Sequence, residues 1–316
     1  MNKNIVIASG DPAGCGPLIT TKAIERCSGK KINFFVVGDQ EVFKEIPRFK
    51  KIKNRINFIN LNTCKITKIK KGHPSKLSGY AALSYLQKAL EIMKEKKITR
   101  LVTAPLSKEA AQKVSSDFQG HTEYLANHFR IKNFAMMMFS EKIKLVLLTR
   151  HVPLYKVSGL ITEKVVDNAL SLVISFLQKK CKIKKPKIAL LSVNPHAGVN
   201  TFFGKEEKIL ARVIAKFKES VCGPYPADTI FTNAANCEYD CLVCAYHDQG
   251  MIPFKLLSMK NGVNITLGLP IIRTSPAHGV ACDAIISNKT LFSSSMSKAI
   301  EIAIKIDHPQ NQHKAE

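Results

Sequence analysis

Short apolar runs alternate along this chain with longer stretches whose apolar residues recur at helical spacing. Runs at 5–8, 32–37, 98–103, 188–193 and 242–246 are mostly aliphatic or β-branched and read as buried strands. Residues 136–139 and 145–148 read as a pair of strands, and 56–59 is the best of several β-like runs within 50–71. A helix is expected from Gly79 to about Lys97, with Ser78 as its cap and Ala82, Leu83, Leu86, Ala89, Leu90 and Met93 on one face. Thr162 caps a second helix, whose inner face carries Val166, Ala169, Leu170, Val173 and Leu177. A third is expected over 205–219 with Ile209, Leu210, Val213 and Phe217 inward, a short one from Gly120-His121 through His128, and a closing one over 297–306. Residues 223–229, GPYPADT, read as a rigid turn. There is no internal repeat and no low-complexity linker.

Strands alternating with helices imply an α/β sheet covered on both faces. The polar motifs fall just past the ends of apolar runs: 9–17, 104–108, 149–153, 194–198 and 247–250. In open α/β sheets that carboxyl edge is where ligands bind, so these loops are expected to converge.

Composition changes the picture only in places. The 316 residues suggest about two domains. No apolar run approaches the ~18 residues of a spanning helix, which points away from a membrane. The N-terminus runs straight from a short apolar segment into a Gly-rich turn, unlike a signal peptide, so a cytoplasmic protein is expected. Nine scattered cysteines suit reduced core thiols better than a disulfide framework. Cys237, Cys241, Cys244 and His247 hint at a zinc knuckle; read as a strand, however, 241–247 puts Cys241 and Cys244 on opposite faces. The net charge of +24 suits a polyanion partner in principle, but the lysines are dispersed. Their densest runs, 65–71 and 179–187, lie outside the motif loops, so no nucleic-acid partner is expected and small anionic substrates are compatible.

The richest stretch is 244–276, where His247, Asp248, Lys255, Asn264 and Arg273 stand among apolar residues. Such groups are costly to bury without partners, and a metal and an anionic ligand are the obvious ones. His151, His196 and His247 each follow a strand candidate. Three neutral imidazoles at one sheet edge would hold a divalent cation with positions open for substrate; spacing alone equally allows three separate structural histidines.

The stretches GDPAGCGP (10–17), TAPLSKEA (103–110), GHTEYLA (120–126), HVPL (151–154), NPHAG (194–198), GPYPADT (223–229), YHDQG (246–250) and GVNITLGLPIIRTS (262–275) resemble, in order, the 4-hydroxythreonine-4-phosphate dehydrogenase family of pyridoxal phosphate biosynthesis. The resemblance implies an α/β, two-domain isocitrate/isopropylmalate dehydrogenase-like fold with an interdomain cleft. Residues 1–120 with 262–316 would form an outer domain carrying the cofactor edge, and 121–261 the metal, substrate and dimerisation domain. It implies His151, His196 and His247 as metal ligands (Zn, Mg or Co) and His121, Thr122, Lys255, Asn264 and Arg273 as substrate contacts. Asp248 would orient a ligand or act as catalytic base. NAD or NADP would accept hydride at a site without the usual dinucleotide fingerprint, so its residues are not assigned. The expected unit is a homodimer with shared active sites. The expected reaction oxidises 4-phosphohydroxy-L-threonine to 2-amino-3-oxo-4-phosphooxybutanoate, a β-keto acid that decarboxylates to 3-amino-2-oxopropyl phosphate. Relatives acting on phosphorylated four-carbon sugar acids or a cyclic diol dicarboxylate are the nearest alternative; a phosphate acyltransferase, which needs no trio of histidines, is the alternative of another class. The chain departs from the family at Leu18 (usually Glu), Ser107 (usually Asn), Ala277 (usually Asp) and Ile285-Ile286-Ser287 (usually a small, Gly-containing turn). The last two bear on the expected cofactor edge.

Overall fold

The computed structural model describes residues 3–27, 31–198, 204–234 and 238–306. Within them the strands, in chain order, are β1 (Lys3–Ala8), β2 (Ile32–Gly38), β3 (Ile56–Asn60), β4 (Arg100–Thr103), β5 (Ala135–Phe139), β6 (Lys144–Leu147), β7 (Ile188–Leu191), β8 (Val221–Tyr225), β9 (Cys241–Cys244), β10 (Val263–Leu267) and β11 (Ile272–Pro276). The chain divides into two compact units, Met1–Arg130 with Leu269–Glu316, and Ile131–Gly268.

In the first unit the strand order is β3-β2-β1-β4-β11, with every pairing parallel. Ile5, Val6 and Ile7 of central β1 are completely buried, as a strand covered on both faces requires. The order reverses between β1 and β4, so the loops after these two strands flank a topological switch point. They are locked together: Asp11 N–H donates to Pro105 O at 2.9 Å. Gly10 is required there, because its φ is +74° and a Cβ would meet Pro105 O at 2.2 Å. The helix Lys76–Glu95 packs on this sheet, burying Ala82, Leu86, Ala89, Leu90 and Met93 as its periodicity predicts, together with Tyr85. Its cap is Ser75 rather than Ser78. Ser78 instead closes a capping box with Ser75 and donates from Oγ to Asp11 Oδ2 at 3.3 Å.

In the second unit the order is β10-β5-β6-β9-β7-β8. β10 and β6 each pair antiparallel with β5, whereas β6-β9-β7-β8 are parallel. Thr162 caps the helix Glu163–Lys179 through Oγ1, which accepts from Val165 N–H at 3.3 Å. The third expected helix ends earlier, at Lys216, and the closing helix is Ser294–Lys305.

Several elements differ from expectation. The helix His121–His128 belongs to the first unit because Leu125 is buried in that unit's core beside Val6 and Leu101. β10, with Asn264, belongs to the second because it pairs with β5. Residues 223–229 are not a free turn: β8 runs through a cis Gly223–Pro224 bond, and a helix, Ala227–Ala234, follows. Proline is tolerated there because β8 lies at the sheet edge. The strand expected through His247 stops at Cys244, and His247 opens the helix His247–Ser258. Cys241 and Cys244 are buried thiols, pushed well above the usual range by burial; Cys237 lies outside the described residues.

Candidate active site

Topology explains why distant histidines meet. β6, β9 and β7 are adjacent and parallel, so the loops carrying His151, His247 and His196 leave the same edge of the second unit. Pairing of β6 with β9 continues past both strands: Leu148 N–H donates to Cys244 O at 2.8 Å and Thr149 N–H to Ala245 O at 3.1 Å. His151 and His247 therefore emerge side by side, with ring centroids 5.5 Å apart. His247 Nδ1 lies 2.6 Å from Asp248 Oδ1. A carboxylate acceptor there makes Nδ1 the protonated nitrogen and leaves Nε2 free to ligate.

His196 sits past β7 in a strained turn, with φ 56° at His196 and 58° at Ala197, both left-handed for non-glycine residues. Buried Glu207 holds this loop: Oε1 accepts from Val193 N–H (3.1 Å) and Asn194 N–H (2.9 Å), and Oε2 from Asn194 Nδ2 (2.9 Å). Gln249 ties the neighbouring strand ends together, accepting from Ala245 N–H at 2.7 Å and donating to Ser192 O at 2.8 Å. Among the described residues, no three His, Cys, Asp or Glu side chains close into a metal-sized group within one chain. The structure thus pairs His151 with His247 and places His196 on the adjacent strand end.

Of the remaining candidates in this unit, Lys255 is exposed on the helix that His247 opens. Asn264 faces the other way energetically: its Oδ1 is buried with no hydrogen-bond partner among the described residues. An orphaned buried acceptor is costly, and a ligand donor removes the cost.

The first unit holds a separate cluster. Arg273, on β11, is 2% exposed. Its Nε and Nη2 donate to Thr103 Oγ1 (3.2 and 2.8 Å), and Nη1 approaches Thr122 Oγ1 at 3.5 Å. Burial lowers the guanidinium to about 10, opposed by the charge of Glu123, so it stays cationic at neutral pH. His121 is pushed down to about 3, first by burial and then by the Arg273 charge, and is neutral at pH 7. His121 and Thr122 occupy the first turn of a helix whose N-cap, Gly120, has no side chain to cap it. A cation, a neutral imidazole and an uncapped helix N-terminus are suited to holding an anion.

Thr103, Glu207 and Gln249 are not marked out as site residues by the sequence pattern. Thr103 and Gln249 stood inside the quoted motifs; Glu207 showed only as an acid at an inward helical position. Ser107 caps the helix Lys108–Gln112, accepting from Ala110 N–H at 3.2 Å, a task Asn performs equally well.

The fold is that of the isocitrate dehydrogenase class: isocitrate dehydrogenase from Methylococcus capsulatus superposes with a TM-score of 0.52 at 14% identity, over 96% of this chain and 85% of that one. A closer likeness is the crystal structure of 4-hydroxythreonine-4-phosphate dehydrogenase from Klebsiella pneumoniae, with a TM-score of 0.81 at 32% identity over 96% of this chain and 98% of that one. Among curated proteins, the 4-hydroxythreonine-4-phosphate dehydrogenase of Aquifex aeolicus is 38% identical over 94% of this chain and 96% of its own length. The D-threonate 4-phosphate dehydrogenase of Salmonella typhimurium is 33% identical over 96% and 99%. The model of the family "Pyridoxal phosphate biosynthetic protein PdxA" matches residues 21–303, and the chain belongs to that family.

Proposed function

We propose that this chain is an NAD(P)-dependent, divalent-metal-dependent 4-hydroxythreonine-4-phosphate dehydrogenase. The observation that carries the reading is the near-full-length likeness to curated enzymes of that name. In this reading His151, His196 and His247 hold a divalent cation. The donor set suits zinc or a similar metal, and the paired rings of His151 and His247 fit two neighbouring ligand positions. When bound, the cation would supply Lewis acidity toward the substrate's secondary hydroxyl, and the nicotinamide would supply a hydride acceptor. Asp248 fixes the His247 tautomer rather than serving as base, since its carboxylate is already engaged by Nδ1.

Arg273 and Thr122 grip an anionic group of the substrate, with neutral His121 as a hydrogen-bonding partner. Asn264 Oδ1 receives a donor from the substrate, and Lys255 adds a second cation. Oxidation would remove hydride from the carbinol carbon and release the hydroxyl proton to solvent water. The resulting β-keto acid then loses CO2 to give 3-amino-2-oxopropyl phosphate.

The working unit in this reading is a cytoplasmic homodimer. Segments running on from His151 and His247 expose Leu154 (71%), Tyr155 (81%), Leu256 (82%) and Met259 (74%), apolar side chains that a second copy would cover. A dimer also allows a metal shell left open in one chain to be completed by the other.

The test is formation of NADH or NADPH from 4-phosphohydroxy-L-threonine, with and without chelator. Chelator-sensitive turnover supports the reading; full activity in metal-free protein removes it. D-threonate 4-phosphate is the second substrate to assay, because a curated relative at 33% identity carries that name.

A further inference from the structure

The first unit carries a pocket of about 430 Å³, within the ~300–1,000 Å³ range of small-molecule sites. It lies at the carboxyl edge of β1 and β2, bounded by the loop after β1, the segment after β2 and residues 284–291. Leu18, Ile46 and Ile285 give it apolar walls. Its charged lining is three lysines, Lys22, Lys71 and Lys289, against one acid, Glu45. Lys22 Nζ is steadied by Leu291 O at 3.5 Å, and the turn bearing Lys71 is pinned by Gly72 N–H donating to Ala13 O at 2.8 Å.

Two nearby features narrow the ordinary ways of holding a dinucleotide at such an edge. Four successive non-proline amides of the Gly-rich loop after β1, from Asp11 to Cys15, are already engaged. Asp11 N–H donates to Pro105 O, Ala13 N–H to Asp11 Oδ1, Gly14 N–H to Asp11 O and Cys15 N–H to Val280 O. It therefore offers little as a backbone phosphate cradle. An acid at the end of the second strand commonly takes the ribose hydroxyls and repels a 2′-phosphate. Asp39 stands at that position but is buried and fully engaged, accepting from Thr63 N (3.0 Å), Thr63 Oγ1 (2.8 Å), Cys64 N (2.7 Å) and Cys64 Sγ (3.0 Å). The cationic side chains lining the pocket at this edge are the three lysines.

We propose that this pocket takes the adenosine 2′-phosphate end of NADP, with its apolar walls against the adenine and Lys71 and Lys289 on the 2′-phosphate, so that the enzyme favours NADP over NAD. Leu18 and Ile285, two departures from the family pattern, form part of this lining. The assignment rests on the dehydrogenase reading, but its test does not require turnover.

Isothermal titration of the full-length chain with adenosine 2′,5′-bisphosphate and with 5′-AMP reads it directly. The bisphosphate binds at least about tenfold tighter, equivalent to ~1.4 kcal/mol. Lys71→Ser and Lys289→Ser each weaken the bisphosphate about fivefold and leave 5′-AMP within about twofold, in the range of exposed charge pairs. Both lysines are exposed, so a melting curve matching the wild type accompanies each variant. Equal affinity for the two nucleotides overturns the assignment, as does bisphosphate binding unmoved in the double variant; either result leaves the dehydrogenase reading intact. Discriminating nucleotide binding in a chain that oxidises no phosphorylated hydroxy acid upholds the pocket and removes that reading instead.

Discussion

A guanidinium that is 2% exposed, held by two threonine hydroxyls, is an expensive arrangement for a surface-poor site. Its planar fork presents donors that a lysine cannot reproduce. Arg273→Lys is accordingly expected to raise KM for the phosphorylated substrate about tenfold or more while changing kcat less, as steady-state kinetics would read. Its neighbour His121 makes a pH prediction. The unfolded side chain titrates near 6.5 and the folded one near 3, so between those values the unfolded chain binds more protons. Stability contributed by neutral His121 is complete above about pH 6.5 and is lost as pH falls toward 3. Thermal melts of His121→Gln should lose part of that acid-side slope; an unchanged slope contradicts the assignment. Glu207 is the third case. Removing it in Glu207→Ala strands the Val193 and Asn194 donors, for an expected loss of ~2–3 kcal/mol in denaturant unfolding. Most of these residues were legible in the sequence because charges among apolar neighbours stand out. Glu207 was not, because a single acid on an amphipathic helix looks solvated until its loop partners are placed.

Elements were legible where local chemistry decides them. Thr162 caps its helix as expected, and Thr162→Ala is expected to cost about 1 kcal/mol in chemical denaturation. The periodic face of Lys76–Glu95 was likewise visible, but not why Gly79 occupies it: a Cβ there would meet Ala110 O at 2.2 Å, backbone against backbone. Boundaries failed where tertiary pairing decides. An apolar run does not say that β9 stops at Cys244, because its partner strand β6 lies about a hundred residues earlier in the chain. The strand nature of 221–225 was hidden by Pro224, which an edge position tolerates.

At the scale of the molecule, the sequence supported convergence of the motif loops through their shared position after strands. Strand order was out of its reach, and strand order is what makes His151 and His247 neighbours: β6 and β9 pair although a whole strand-helix-strand segment separates them in the chain. The exposed apolar side chains of Leu154, Tyr155, Leu256 and Met259 belong to this scale too. If the proposed homodimer forms through these residues, Leu256→Glu shifts it to monomer in sedimentation velocity, with activity falling alongside. The central claim, that histidines from three strand ends serve one cation, is tested most directly by metal content. After equilibration with a divalent cation and desalting, the wild-type chain should retain about one ion per subunit and His196→Ala or His247→Ala far less. Equal retention in wild type and variants, or none in the wild type, contradicts it.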